Sequence, residues 1–252
     1  TLIQNDGTAP ESAHVLWTKP LQDGGIVGGS NFAVPGQQFY TGQSYNQRFP
    51  NPIIMTGRLF YREPSGETAQ SGDVVSVDLR TGLEIWRQSG MPTLSFGYTY
   101  DLETPNQEGV WGSGILFSSN FAQAFDPRNG NSLFNVTGVP SGTQAYGKQG
   151  ETLRYVFTNT GTSSNQNYTL SQWNSSRLWD NSGTTPTIAA NVTANTGARY
   201  DWNVSVPWRN GMTGTVVVLN SFLDDVMIGI NGTTGLGDPG YTMWGGWNNG
   251  TA

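Results

Sequence analysis

Apolar positions along the chain come in short runs and two-residue alternations, each cut off by glycine, proline or an Asn/Asp turn. Residues 1–12 are polar and read as a flexible lead-in, and residues 13–17 (Ala-His-Val-Leu-Trp) read as a strand. Residues 53–62 read as two short strands across a turn at Gly57. Residues 74–79 form a strand, 80–82 a tight turn and 83–87 the return. The same order follows at 114–119, 121–125 and 132–136, with the turn at 127–130. Residues 153–157, 168–173 and 215–219 read as further strands. Residues 162–182 lack both Gly and Pro, and Leu170, Trp173, Arg177 and Leu178 have helical spacing, so a short helix is the alternative there.

One unit recurs. Residues 74–86 align with 122–134 at an offset of 48, pairing Asp78 with Asp126, Gly82 with Gly130 and Trp86 with Phe134. An opening Asp or Asn accepts backbone N–H bonds two residues on, and glycine supplies the positive φ that closes a hairpin. The aromatic that follows is large enough to wedge between neighbouring sheets. Asn174 stands another 48 residues on, without a glycine at 178, and Asn231 to Gly235 is a further partial instance with no Trp after it. The period matches a four-stranded propeller blade, so the expected fold is all-β, a β-propeller of four-stranded blades.

The segment Ser76-Val77-Asp78-Leu79-Arg80-Thr81-Gly82-Leu83-Glu84-Ile85-Trp86 resembles the repeat of the PQQ-like β-propellers, A-L-D-x-x-T-G-x-x-x-W. Residues 124–134 are a second match, and 229–235 a partial third, with Asn231 for Asp and Gly235 closing it. The resemblance implies that each motif marks the outer two strands of a blade and that its Trp docks on the next blade. It makes Trp17 the closing Trp of a blade whose earlier strands lie elsewhere. At 48 residues per blade the chain holds about five blades. Propellers of this type usually resemble seven- or eight-bladed rings, so the domain over 13–252 reads as a partial arc of a larger ring or one completed by another chain. Trp173-Asn174-Ser175-Ser176 and residues 200–205 are also similar to secreted archaeal propeller proteins.

Composition narrows the function. Charged residues are 12% of the chain, against about 25% in ordinary soluble proteins. Glycine is abundant at 34 residues, yet aromatics at 12% supply enough apolar area for a packed, turn-rich β-protein. The net charge is −6 and the only lysines are Lys19 and Lys148. That balance argues against nucleic acid and anionic membranes as partners, and no apolar run is long enough to span a bilayer. The chain opens with Thr1 and reads as a mature or excised piece of a longer precursor. No cysteine is present, which removes disulfides, thiol catalysis and Cys-based metal sites.

Catalytic constellations are scarce. A quinoprotein would hold its quinone and calcium at the propeller axis, but Asp101, Glu103 and Asp201 read as solvated loop acids. His14, the only histidine, reads as a packed or hydrogen-bonded structural residue. Asp224 and Asp225 are adjacent, so on a strand they face opposite ways and make a poor glycosidase pair. The glycines at 24–29 lack the dinucleotide spacing and read as a tight loop. Calcium is the one metal considered, at residues 126–131, which lack alternating acids and carry Arg128.

The positive signal is a set of Asn-x-Ser/Thr sequons at Asn135, Asn167, Asn174, Asn191, Asn203, Asn231 and Asn249. Asn174 has a second reading as an Asx turn. The expected function is therefore a secreted, N-glycosylated, non-enzymatic propeller. It would act as an extracellular or cell-surface building block of a filament or surface layer, with other chains or copies of itself as partners. No cofactor is expected beyond the glycans, with calcium left open at residues 126–131. The alternative is a quinoprotein-like dehydrogenase, or a carbohydrate-binding or carbohydrate-active propeller, with its ligand at the axis.

Overall fold

The computed structural model describes residues 11–19, 52–63, 72–99, 114–178, 191–210, 216–223, 225–231 and 242–247. Among these the protein is all-β, with short 3-10 turns and antiparallel sheets. The chain divides into two compact units, 5–135 and 136–252 with 1–4.

The first unit holds two meanders. β1 (Ile53–Met55), β2 (Arg58–Arg62), β3 (Val74–Asp78) and β4 (Glu84–Gln88) pair in sequence order. Thr56 and Gly57 both have positive φ (50° and 73°), which gives the two-residue turn that matches the twist of a hairpin. β5 (Leu94–Tyr98), β6 (Ile115–Ser118), β7 (Gln123–Phe125) and β8 (Ser132–Thr137) repeat the arrangement. The strand expected over 121–125 begins only at Gln123, because Asn120 and Phe121 turn at positive φ (56° and 61°). Met55, Phe60 and Val74 of the first sheet meet Leu94, Leu116 and Phe125 of the second, with Trp86 against them. Each such fully buried side chain is worth about 1.5–3 kcal/mol.

β8 runs across the division into the second unit. There Thr137 accepts a bond from Ala194 N–H at 2.8 Å, beside β12 (Asn191–Thr193). β9 (Thr143–Tyr146), β10 (Thr152–Asn159), β11 (Tyr168–Asn174) and β13 (Tyr200–Ser205) form the third sheet in that order. The helix considered for 162–182 is absent where the structure describes it: β11 pairs with β10 along its whole length, and only Ser175–Leu178 makes a 3-10 turn. Leu170 and Trp173 then fall on opposite faces, which a strand allows and an amphipathic helix does not. Residues 179–182 lie outside the described residues.

The last sheet has three described strands, β14 (Val216–Ser221), β15 (Val226–Asn231) and β16 (Thr242–Trp247). Tyr155 and Leu170 of the third sheet bury Val218 and Met227 of the fourth, with Trp202 and Trp244 at the margin. First strands pack on first strands in both units. A Cβ on Gly97 of β5 would meet Met55 Sδ of β1 at 2.9 Å. Thr143 Oγ1 of β9 donates to the Val218 carbonyl of β14 at 2.7 Å.

Candidate functional site

The feature that recurs in space is a joint between an aromatic ring and a turn. Its socket is the turn that leaves the third strand of a sheet. Asp78 ends β3, and its Oδ1 accepts from Arg80 N–H (2.9 Å), Thr81 N–H (2.8 Å) and Thr81 Oγ1 (3.0 Å). These donors, the Thr81 backbone bond foremost, hold the carboxyl below its usual range. Asp126 does the same in the second sheet, accepting Arg128 N–H at 2.8 Å. It is also clamped by the Arg128 guanidinium (Nη2 to Oδ2, 2.7 Å), the main cause of its lowered pKa. In both turns the glycine N–H returns to the Asp carbonyl at 2.8 Å, Gly82 to Asp78 and Gly130 to Asp126.

The ring enters between the Asp and the glycine. Trp17 Nε1 donates to the Leu79 carbonyl at 2.8 Å, and Trp86 Nε1 donates to the Pro127 carbonyl at 2.8 Å. Leu79 and Pro127 each follow the turn's Asp directly. Both rings lie where a glycine side chain would be. A Cβ on Gly82 would meet Trp17 Cδ2 at 2.7 Å, and one on Gly130 would meet Gln88 Cγ at 2.7 Å and Trp86 Cζ3 at 3.0 Å. Glycine is needed at these positions twice over, since both also have positive φ (71° and 74°). Arg58 and Gln88 add bonds to the Pro127 and Asn129 carbonyls at 2.7 and 3.1 Å.

Register shows where the pattern continues. Trp86 stands opposite Ser76, two residues before Asp78, and Phe134 stands opposite Ala124, two before Asp126. In the third sheet Trp202 stands opposite Gln172, two before Asn174. The spacing concealed Trp202: the aromatic follows Asp78 and Asp126 by eight residues, but residues 175–201 separate Asn174 from Trp202. Asn174 is buried, and its Oδ1 accepts Ser176 N–H (2.9 Å) and Oγ (2.8 Å), an Asx turn. Its Nδ2 donates to Asp201 at 2.8 Å. Asp201 also takes Gln172 Nε2 (2.9 Å) and Arg177 Nε (2.5 Å), and Trp202 Nε1 donates to Gln172 Oε1 at 2.9 Å.

Asn231 closes β15, the middle described strand of its sheet, and Gly235 lies outside the described residues. Opposite Gly229 stands Trp244, whose ring covers that glycine and meets Phe157 of the preceding sheet edge-on at 5.7 Å. Trp244 thus turns back, where Trp86 reaches forward.

Of the sequons, Asn135 on β8, Asn167 before β11 and Asn203 on β13 are exposed. Asn191 opens β12, and Asn249 lies outside the described residues. His14 is exposed and bonds to the Ser12 carbonyl at 3.1 Å, so it is not packed in a core. The glycines at 24–29, Asp101, Glu103 and Asp224 lie outside the described residues. Among the described residues no three His, Asp or Glu side chains gather as a metal site would require. None of the described structure forms a helix long and apolar enough to cross a membrane. Neither the family models nor the curated proteins compared with this chain include a match.

Proposed function

We propose that this chain is a non-enzymatic, extracellular, N-glycosylated building block whose sheets are propeller blades, and that it works by associating with further copies of itself. One observation carries the reading: the same joint, indole N–H on the carbonyl after Asp with the ring over glycine, is made by Trp17 and again by Trp86. A joint used twice is a unit of construction. Its polar groups are consumed within it, since the Asp78 and Asp126 carboxylates are taken by their own turns. That leaves the most motif-like residues of the chain with packing to do and no reacting atom to hold. Asn135, Asn167 and Asn203, exposed among the described sequons, suit an outer surface that carries sugar.

Intact-mass measurement of protein from its native source tests the glycoprotein claim. A mass above the bare 27.3 kDa of the chain, reduced by enzymatic or chemical deglycosylation, is expected. A mass equal to the bare chain overturns it. Light scattering over a concentration series tests the association, with a monomer at every concentration as the contrary result.

A further inference from the structure

Alternation along β2 turns Phe60 and Arg62 to the same inward side, and both are buried. An apolar ring suits that side, whereas an arginine there calls for a partner. Arg62 ends β2 opposite Val74 of β3 and is only 7% exposed. Its Nη1 donates to the Gly72 carbonyl at 2.5 Å, and its Nη2 donates to the Met91 carbonyl. Its Nε–H is buried and has no hydrogen-bond partner.

No carboxylate sits against the charge. Glu63 and Asp73, the acids beside Arg62 and Val74 in sequence, both turn to Arg87, and among the described residues Arg62 is in no ion pair. Burial pushes its pKa down from the ordinary arginine value, the direction expected of a cation held out of water. Arginine nonetheless keeps its proton in proteins, so the charge persists. Beside it lies a cavity of about 10 Å³, room for one small sphere. Ile53, Phe60, Val74 and Leu94 make its apolar walls. Tyr61, Arg62 and Thr93 supply its polar side chains, each with a proton to donate, and no carboxylate lines it among the described residues. All of these residues belong to one compact unit.

We propose that this cavity is a halide site, in which a chloride ion accepts the Arg62 Nε–H and neutralises the buried guanidinium. Two carbonyls satisfy donors without cancelling charge, and an uncompensated ion in the interior is costly. A water would meet the Nε–H but leave the charge as it stands. Sulfate, phosphate and carboxylates are too large for the space. A monatomic anion meets both demands. Bound there, it fixes the guanidinium that ties β2 to Met91, ahead of β5, and so strengthens the seam between the first two sheets. The inference is independent of the self-association proposed above, because every residue it uses lies inside one unit.

Thermal unfolding of the full chain tests it, at constant ionic strength, with sodium chloride exchanged for sodium gluconate, whose anion cannot enter the cavity. Chloride at ten times its dissociation constant is expected to raise the midpoint by about 3–6 °C. Arg62→Met, close in length and uncharged, should lose that response. If Arg62→Met does not fold, Val74→Ile takes its place: it adds one carbon to the cavity wall, leaves Arg62 intact and should weaken the response. Crystals soaked in sodium bromide should show an anomalous bromine peak within hydrogen-bonding reach of Arg62 Nε. Equal midpoints in chloride and gluconate overturn the proposal and leave a cavity for water, and a bromine peak without that response is an adventitious ion only. A chloride response undiminished in Arg62→Met or Val74→Ile, or a bromine peak absent from this cavity, overturns it as well.

Discussion

Single residues in the joint act through contact and backbone together, and glycine separates the two. Gly90 and Gly130 have nearly the same φ (71° and 74°), but a Cβ on Gly90 meets nothing within 4 Å. Gly90→Ala should therefore cost about 1 kcal/mol, the backbone penalty alone. Gly130→Ala adds a collision with Trp86 and Gln88 and should cost about 2–4 kcal/mol, read as the shift in urea midpoint. Equal shifts for the two would show that the ring does not press on the turn. The carboxylates give a pH signature. Asp78 and Asp126 both titrate below their ordinary range when folded. Their contribution is fully present above the unfolded value of about 3.9 and is lost as pH falls through the lower folded values. Stability should thus decline from about pH 5 downward, and more gently in Asp126→Asn, which keeps the turn's acceptor oxygen but cannot be protonated. An unchanged slope in that variant would remove Asp126 from the account.

At the scale of elements, the joint predicts that a sheet's outer strand is held by its aromatic as well as by its ladder. Trp86→Phe keeps most of the ring but loses the bond to Pro127, and should cost about 1–2 kcal/mol. Trp86→Ala also opens a void beside Phe60, 5.8 Å from the indole, and should cost about 3 kcal/mol or more. Residues 13–19 lie in no strand ladder, so Trp17→Ala should leave them only the exposed Lys19–Glu84 pair: limited proteolysis should cut there early while the first two sheets stay intact. Survival of that segment would mean other contacts hold it. This division of labour explains what the sequence made legible. Hairpins closed by Asp-x-x-x-Gly were readable because local chemistry alone makes them, as at Asp78 and Asp126. Strands such as β5 and β9 were not, since Leu94–Tyr98 and Thr143–Tyr146 carry no turn signature and are fixed by pairing with β6 and β10. Trp202 escaped because its partner Gln172 is near only in register, across a long insertion. The direction of Trp244 escaped because it depends on which strands of neighbouring sheets pack together, a tertiary fact that motif spacing does not encode.

At the scale of the whole molecule, sugar and structure compete for the same asparagines. Asn135, Asn167 and Asn203 are exposed, so each can carry a glycan without disturbing a core. Asn174 is in a different position: it is 9% exposed, its Nδ2 is bonded to Asp201 and its Oδ1 caps Ser176. A glycan replaces one Nδ2 proton and needs room outside the fold, so attachment there would displace the half-buried Asp201–Gln172–Asn174 network. Half-satisfied polar networks are costly, and a carboxylate that loses a donor is the costliest member. Glycopeptide mapping of native protein should accordingly find sugar on the peptides bearing Asn135, Asn167 and Asn203 and none on the peptide bearing Asn174. Substitution should divide the same way. Asn203→Gln should change mass and leave the thermal midpoint in place, because its side chain stands in solvent. Asn174→Ala should lower stability by about 1–3 kcal/mol with no change in glycan mass, the expected cost of a buried Asx turn and an abandoned carboxylate. Sugar found on Asn174 would mean that the sequon is modified before this sheet closes, and that this hydrogen-bond network is not the folded state of the mature chain.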